Sequence, residues 1–184
     1  MPRNQMIVLA SRPEGAPGPE NFRLVEAAMP EPGEGEVLVA HHYLSLDPYM
    51  RGRMNEGRSY AAAQKLGDVM IGGTVGDVVA SRNPRFKPGD HVVGMGGWQL
   101  YGVSDGRDLN KVAAGPVPLP AYLGPVGMPG VTAWYGLNKI IAPKPGEAVL
   151  VSAATGAVGT VVGQLARMAG ARAVGIAGGP EKCH

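Results

Sequence analysis

The chain has 184 residues, 45% apolar and 17% charged, with a formal net charge of +2. Its lysines and arginines are scattered, which excludes the basic stripe that a nucleic-acid partner requires, and no stretch approaches the roughly 20 apolar residues of a membrane span. Residues 1–25 hold charges and prolines where a signal peptide would be apolar, so a cytoplasmic protein is expected, and the one cysteine, Cys183, excludes an intrachain disulfide or a cysteine-based zinc cluster.

The 29 glycines and 17 prolines make up a quarter of the chain, but they separate β-branched runs and so mark tight turns. Met6 to Ala10 and Phe22 to Glu26 read as short strands flanking a Pro/Gly-rich turn, and Glu36 to Leu44 as a longer one. Pro48 then pushes Asp47 out of helical geometry, so a turn or a short helical start follows. Met54 to Gly67 is polar and aperiodic, the composition of a surface loop. Strand character resumes at Val69 to Ala80, His91 to Met95 and Trp98 to Val103. Many short strands with turns between them predict a small β-barrel over roughly the first 120 residues. His41 and His42, adjacent in a strand, point to opposite faces and cannot ligate one metal together.

Beyond the proline-rich run at 116–120 the pattern changes. A helical stretch begins at Gly130 and runs to about Ile141, where Pro143-Lys144-Pro145-Gly146 ends it. Ala148 to Ala153 is a continuous apolar run of strand length, as in a parallel strand covered on both faces. Val158, Val161, Val162, Leu165 and Ala169 recur at helical spacing, and Ala173 to Ala177 forms a second buried strand. Strand, helix and strand make one right-handed βαβ crossover.

At the first strand-to-helix junction, Ala154-x-Gly156-x-x-Gly159 occupies the place of a G-x-G-x-x-G fingerprint. Gly156 lets the backbone approach a pyrophosphate lying at the positive helix N-terminus. Gly159 lets the helix lie close on the strand, and Ala154 stands where the first glycine makes the tight turn. The competing explanation is that small residues here only pack a helix on a sheet. An NAD site places an acidic residue at the end of the second strand, whereas this chain has Ala177-Gly178-Gly179 and then Lys182. The missing carboxylate and the added cation favour NADP, with Glu181 read as exposed.

Ala10-Ser11-Arg12-Pro13, Pro19-Glu20-Asn21-Phe22-Arg23-Leu24, the segment from Tyr43 to Met54, Gly127-Met128-Pro129-Gly130 and Gly175-Ile176-Ala177-Gly178-Gly179 extend the pattern over almost the whole chain. Together they resemble the medium-chain dehydrogenase/reductase superfamily and, within it, the zinc-independent alkenal and enone reductases. That branch includes the prostaglandin reductases, leukotriene B4 12-hydroxydehydrogenase, the plant double-bond reductases and the bacterial NADPH-dependent curcumin reductases, the nearest in pattern.

The resemblance implies a mixed fold: a GroES-like β-barrel domain on the substrate side, residues 1–124, followed by the first βαβ unit of a truncated Rossmann α/β domain, residues 125–184. It implies an NADP(H)-dependent enzyme that reduces the carbon–carbon double bond of α,β-unsaturated ketones or aldehydes, taking a small enone or alkenal as substrate and forming a homodimer at full length. Carried over residue by residue, Gly156, Ala157, Val158 and Gly159 meet the pyrophosphate and Lys182 the 2′-phosphate. Met128 and Thr132 lie near the nicotinamide, and Tyr49 and Tyr60 line the substrate pocket. Related alcohol dehydrogenases carry Gly-His-Glu where this chain has Gly72-Gly73-Thr74, so zinc-independent chemistry is implied. The resemblance also implies about as many residues again beyond position 184, so the chain alone is expected to bind NADPH weakly, to turn over poorly and to self-associate through the uncovered edge of its last strand. Two alternatives stay open: a quinone oxidoreductase of the same superfamily, and a non-catalytic GroES-like interaction module.

Overall fold

A computed structural model of the chain describes residues 3–57, 61–113, 115 and 117–183. The chain forms two compact units, Met1–Leu119 and Pro120–His184. The short 3-10 turn Leu119–Leu123 lies where they join in sequence, and Gly124 and Val126 both donate their amides to the carbonyl of Ala121.

In the first unit, β1 (Arg3–Leu9) and β2 (Phe22–Ala28) pair antiparallel from Arg3 against Ala28 to Leu9 against Phe22. The turn between them is held by Asn21, which is buried, accepts the Gly18 amide and donates to Ser11 Oγ. Five further strands, β3 (Val37–Leu44), β4 (Thr74–Ser81), β5 (His91–Gly94), β6 (Tyr101–Ser104) and β7 (Asn110–Lys111), form an antiparallel sheet in the order β6-β3-β4-β5-β7. Val37 and Val39 place their side chains in a core with Val78, Phe86, Val92 and Leu109.

Two expected strands are shorter than their apolar runs. β4 starts at Thr74 because residues 70–72 pair elsewhere: the Met70 amide bonds to Ile7, and the Trp98 and Gly97 amides bond to Met70 and Gly72. The run from Trp98 likewise enters regular pairing only at Tyr101. Its first residues join the hairpin to the sheet through Ile7 N to Trp98 O, Leu100 N to Gln5 O and His41 N to Leu100 O. A second cluster, Leu9, Met50, Met54 and Met70 with Phe22, Tyr49 and Trp98 at its rim, fills the space beneath. Met50 comes from α1 (Tyr49–Arg53), the short helical start expected after Pro48, and Met54 is the residue that caps its C-terminus.

In the second unit, α2 (Met128–Tyr135) continues into a π-helical turn, Gly136–Ile141, closed by Ala142 in the left-handed region at φ 47°. The wider turn lets the Ala142 amide reach the Leu137 carbonyl at 2.7 Å while the Leu137 side chain stays in the core. β8 (Ala148–Val151), α3 (Gly159–Met168) and β9 (Arg172–Gly175) then form the βαβ crossover, the two strands parallel from Ala148 against Arg172 to Val151 against Gly175. Val149, Val151, Ala166 and Ala171 close with Leu137 over one sheet face. Only that face is covered: Leu150 on the other is 67% exposed, where the apolar run suggested burial on both sides.

Candidate functional site

Between β8 and α3 the chain turns sharply, and the left-handed residue is Ala153, at φ 48°. The fingerprint pattern assigned that turn to Ala154. Ala154 instead prolongs the parallel ladder, its amide bonding to the Ile176 carbonyl at 3.0 Å, and its Cβ stands where a side chain on Gly175 would come within 2.7 Å. The reversal therefore has to occur one residue earlier, at the cost of holding an alanine in a conformation that L-residues disfavour.

Gly159 opens α3 against this turn. A Cβ there would lie 2.4 Å from the Ala153 carbonyl oxygen and 2.8 Å from Ala154 Cα, so no larger residue lets the helix start this close to the strand. At Gly156 the same test gives 3.1 Å, a tight contact and not a clash. The Gly156 amide closes back on Ala153, and its carbonyl takes both the amide and the hydroxyl of Thr160. Thr160, Val161 and Val162 also find backbone acceptors. The amides of Ala157, Val158 and Gly159 find none among the described residues. Successive unpaired N–H groups at a helix N-terminus, backed by the helix dipole, form an anion site.

The other sequence-predicted residues fall as follows. Met128 and Thr132 sit one turn apart on α2, both exposed, and the Thr132 hydroxyl donates to the Met128 carbonyl at 2.8 Å. Lys182 is exposed in a 3-10 turn, Pro180–Lys182, that follows the left-handed Gly179, and it forms no ion pair among the described residues. Tyr49 belongs to the first unit, half-buried on α1 against the methionine cluster. Tyr60 lies outside the described residues.

Sequence reasoning missed two polar arrangements in the first unit. Asp77 on β4 bridges two histidines: Oδ2 meets His42 Nε2 at 2.9 Å, and Oδ1 meets His91 Nδ1. Burial pushes the Asp77 carboxyl up, but the hydrogen bonds from His42 and His91 outweigh it and hold its pKa below the ordinary carboxylate value. Asp77 faces His91 directly in register, while His42 falls at an irregularity between His41 and Tyr43. His41 turns the other way, as the alternation of faces required, and bonds through Nδ1 to the Gln99 carbonyl at 2.9 Å. Burial lowers its pKa against the opposing effect of that bond, so the ring is neutral and Nδ1 is the donor. The second arrangement laces α1 to the β1–β2 turn through Arg12 and Arg51.

The family model for the N-terminal domain of oxidoreductase matches residues 5–112, more than half of the chain. This chain belongs to that family. Within it, the NADPH-dependent curcumin reductase of Escherichia coli (strain K12) is 54% identical over 182 residues, 99% of this chain and 53% of that protein. Prostaglandin reductase 1 of Rattus norvegicus is 47% identical, over 92% of this chain and 50% of its own length. CurA from Vibrio vulnificus, solved in complex with NADPH, superposes with a TM-score of 0.92 at 49% identity, over 97% of this chain and 53% of that one. The family member described here therefore has the fold of the medium-chain dehydrogenase/reductase enzymes, and it spans about half the length of the relatives it matches.

Proposed function

We propose that this chain provides the substrate-side domain and the pyrophosphate-binding turn of an NADPH-dependent, zinc-independent reductase of the double bond in α,β-unsaturated ketones and aldehydes. The observation that carries the reading is the row of unpaired amides at Ala157, Val158 and Gly159, on a turn whose close approach only Gly159 permits. Its support from outside the chain is a curcumin reductase 54% identical over nearly all of it.

The residues fit the cofactor. The three amides and Gly156 would hold the pyrophosphate, and Lys182, with no carboxylate on Ala177-Gly178-Gly179, would accept a 2′-phosphate. Met128 and Thr132, exposed one turn apart on α2, would lie near the nicotinamide. When bound, NADPH supplies a hydride for the β-carbon of the enone, and a proton completes the α-carbon. Tyr49, and Tyr60 outside the described residues, would serve the substrate side, where the carbonyl oxygen gathers the enolate charge and needs hydrogen-bond donors. In relatives with zinc chemistry a histidine stands in the Gly72-Gly73-Thr74 segment. Here Gly73 takes that place and has no side chain that could ligate a metal, which supports the zinc-independent reading.

Two parallel strands form one wall of a dinucleotide crevice, so these 184 residues alone are expected to bind NADPH weakly and to turn over slowly. The test is a fluorescence titration with NADPH and NADH, followed by NADPH oxidation with an enone or a quinone. NADPH-selective binding supports the reading. Robust turnover of quinone with none of enone refutes it in favour of a quinone oxidoreductase, and no response to either nucleotide refutes the cofactor site.

A further inference from the structure

Two arginines sit in segments that the proposed function leaves without a role, Ala10-Ser11-Arg12-Pro13 and Tyr49-Met50-Arg51. Each belongs to one side of a boundary and binds the other. Arg51 projects from α1 and donates from Nε to the Gly15 carbonyl at 2.8 Å and from Nη2 to the Pro13 carbonyl at 3.2 Å, while Nη1 holds Asn55 Oδ1. Arg12 projects from the β1–β2 turn and donates from Nη1 to the Met54 carbonyl at 2.6 Å and from Nε to Glu56 at 2.8 Å. The Met54 carbonyl lies just past the C-terminus of α1, where a cation also meets the negative end of the helix dipole.

A helix of five residues has no stability of its own, since isolated helices shorter than about 12 residues are marginal in water. Met50 on α1 and Met54 at its C-cap anchor this turn in the core, which leaves rotation about that contact to be fixed from outside. The two guanidinium groups fix it, because each spans two acceptors in one plane. Beyond α1 the chain is pinned again: the Gln64 amide bonds to the Arg53 carbonyl at 2.7 Å, and the buried Gln64 side chain bonds to Val69 and Ile71.

We infer that Arg12 and Arg51 are positioning residues for Tyr49, holding the α1 turn in the orientation that presents this tyrosine to the substrate. The inference rests on the reading above for the role of Tyr49, whereas the clamp itself can be tested without it.

The test replaces the six tyrosines of the chain by 3-fluorotyrosine and follows them by fluorine NMR, with Tyr49 assigned through Tyr49→Phe. Arg51→Met and Arg12→Met are expected to shift or broaden the Tyr49 line and leave those of Tyr101 and Tyr135 in place. Arg51→Lys, which keeps the charge but loses the planar fork, is expected to restore the line only in part. In enone reduction with NADPH, Arg51→Met should raise KM for the enone about fivefold, with kcat within about twofold and KM for NADPH unchanged. An unmoved Tyr49 line in both methionine variants overturns the inference, as does an equal rise in both KM values. No enone turnover by the wild type refutes the reductase reading alone and leaves the fluorine result to decide the clamp.

Discussion

Replacing Gly159 by alanine puts one methyl group into the tight contact at the β8–α3 turn. The new Cβ would stand 2.4 Å from the Ala153 carbonyl oxygen, and because the surrounding atoms at Ala153 and Ala154 are backbone, no side chain can swing aside. Relief to an ordinary contact beyond 3.4 Å requires the start of α3 to back away from β8. Overpacking of this kind costs about 1–3 kcal/mol, of which the better helix propensity of alanine returns at most about 1 kcal/mol. Gly163, one turn along the same helix, has nothing within 4 Å of its would-be Cβ. There the same substitution should stabilise by about 0.5–1 kcal/mol. The two variants thus carry one chemical change with opposite signs, and their urea midpoints should part by about 1–2 M for a slope near 1–1.5 kcal/mol/M. Trp134 fluorescence in a Trp98→Phe background follows the second unit alone, since those are the two tryptophans of the chain. Gly159→Ala should also weaken NADPH binding about tenfold, roughly 1.4 kcal/mol, by displacing the unpaired amides. Equal midpoints for the two variants would refute the argument that close approach, and not composition, fixes this glycine.

Asp77→Asn should flatten the acid limb of the stability profile. The fold depresses the Asp77 pKa, so the ionised carboxyl stabilises above the unfolded value of about 3.9 and this contribution fades as pH falls through the folded one. Parallel denaturation midpoints for wild type and variant between about pH 5 and 3 would contradict this. Lys182→Glu is expected to cost NADPH at least tenfold more affinity than NADH, about 1.4 kcal/mol of discrimination, measured by paired titrations; an equal loss for both nucleotides would remove Lys182 from the 2′-phosphate. Met70→Ala, at a fully buried position beneath Trp98, should lose about 2–5 kcal/mol in denaturant unfolding, and a loss below about 1 kcal/mol would show that this cluster collapses to refill the space. Finally, Leu150→Lys on the uncovered sheet face should lower the concentration-dependent light scattering expected of the wild type, and unchanged scattering would place any self-association elsewhere.

Much of the second unit could be read from residue order, because a short apolar strand and an amphipathic helix have different periods and a short glycine pattern marks their junction; the burial expected of both strands was wrong, since β8 is covered on one face only and β9, Arg172–Gly175, is largely exposed. Gly159 was visible for that reason. Ala153 was not, since a left-handed alanine is set by where the ladder to Ile176 ends and not by its own chemistry. In the first unit, strand identity followed the β-branched runs, but the ends of β4 and β6 shifted where the backbone paired with β1 across many residues. The Asp77 bridge to His42 and His91 depends on register and on an irregularity in β3, neither of which has a residue-type signature. The bonds of Arg12 and Arg51 to Pro13, Gly15 and Met54 end on carbonyl oxygens, which every residue carries, so only coordinates could show which ones they reach.

The bond from Gln64 to Arg53 has a consequence for how this scaffold can diversify. Because Arg53 and Gln64 already meet, the chain between them can change in length beyond Glu56 without disturbing the strands on either side, while Met54, Asn55 and Glu56 keep their contacts with the core, Arg51 and Arg12. Even a doubled length adds only about 0.6 kcal/mol of closure entropy. Descendants of such a sequence can therefore exchange that stretch like an interchangeable part while inheriting the same strands.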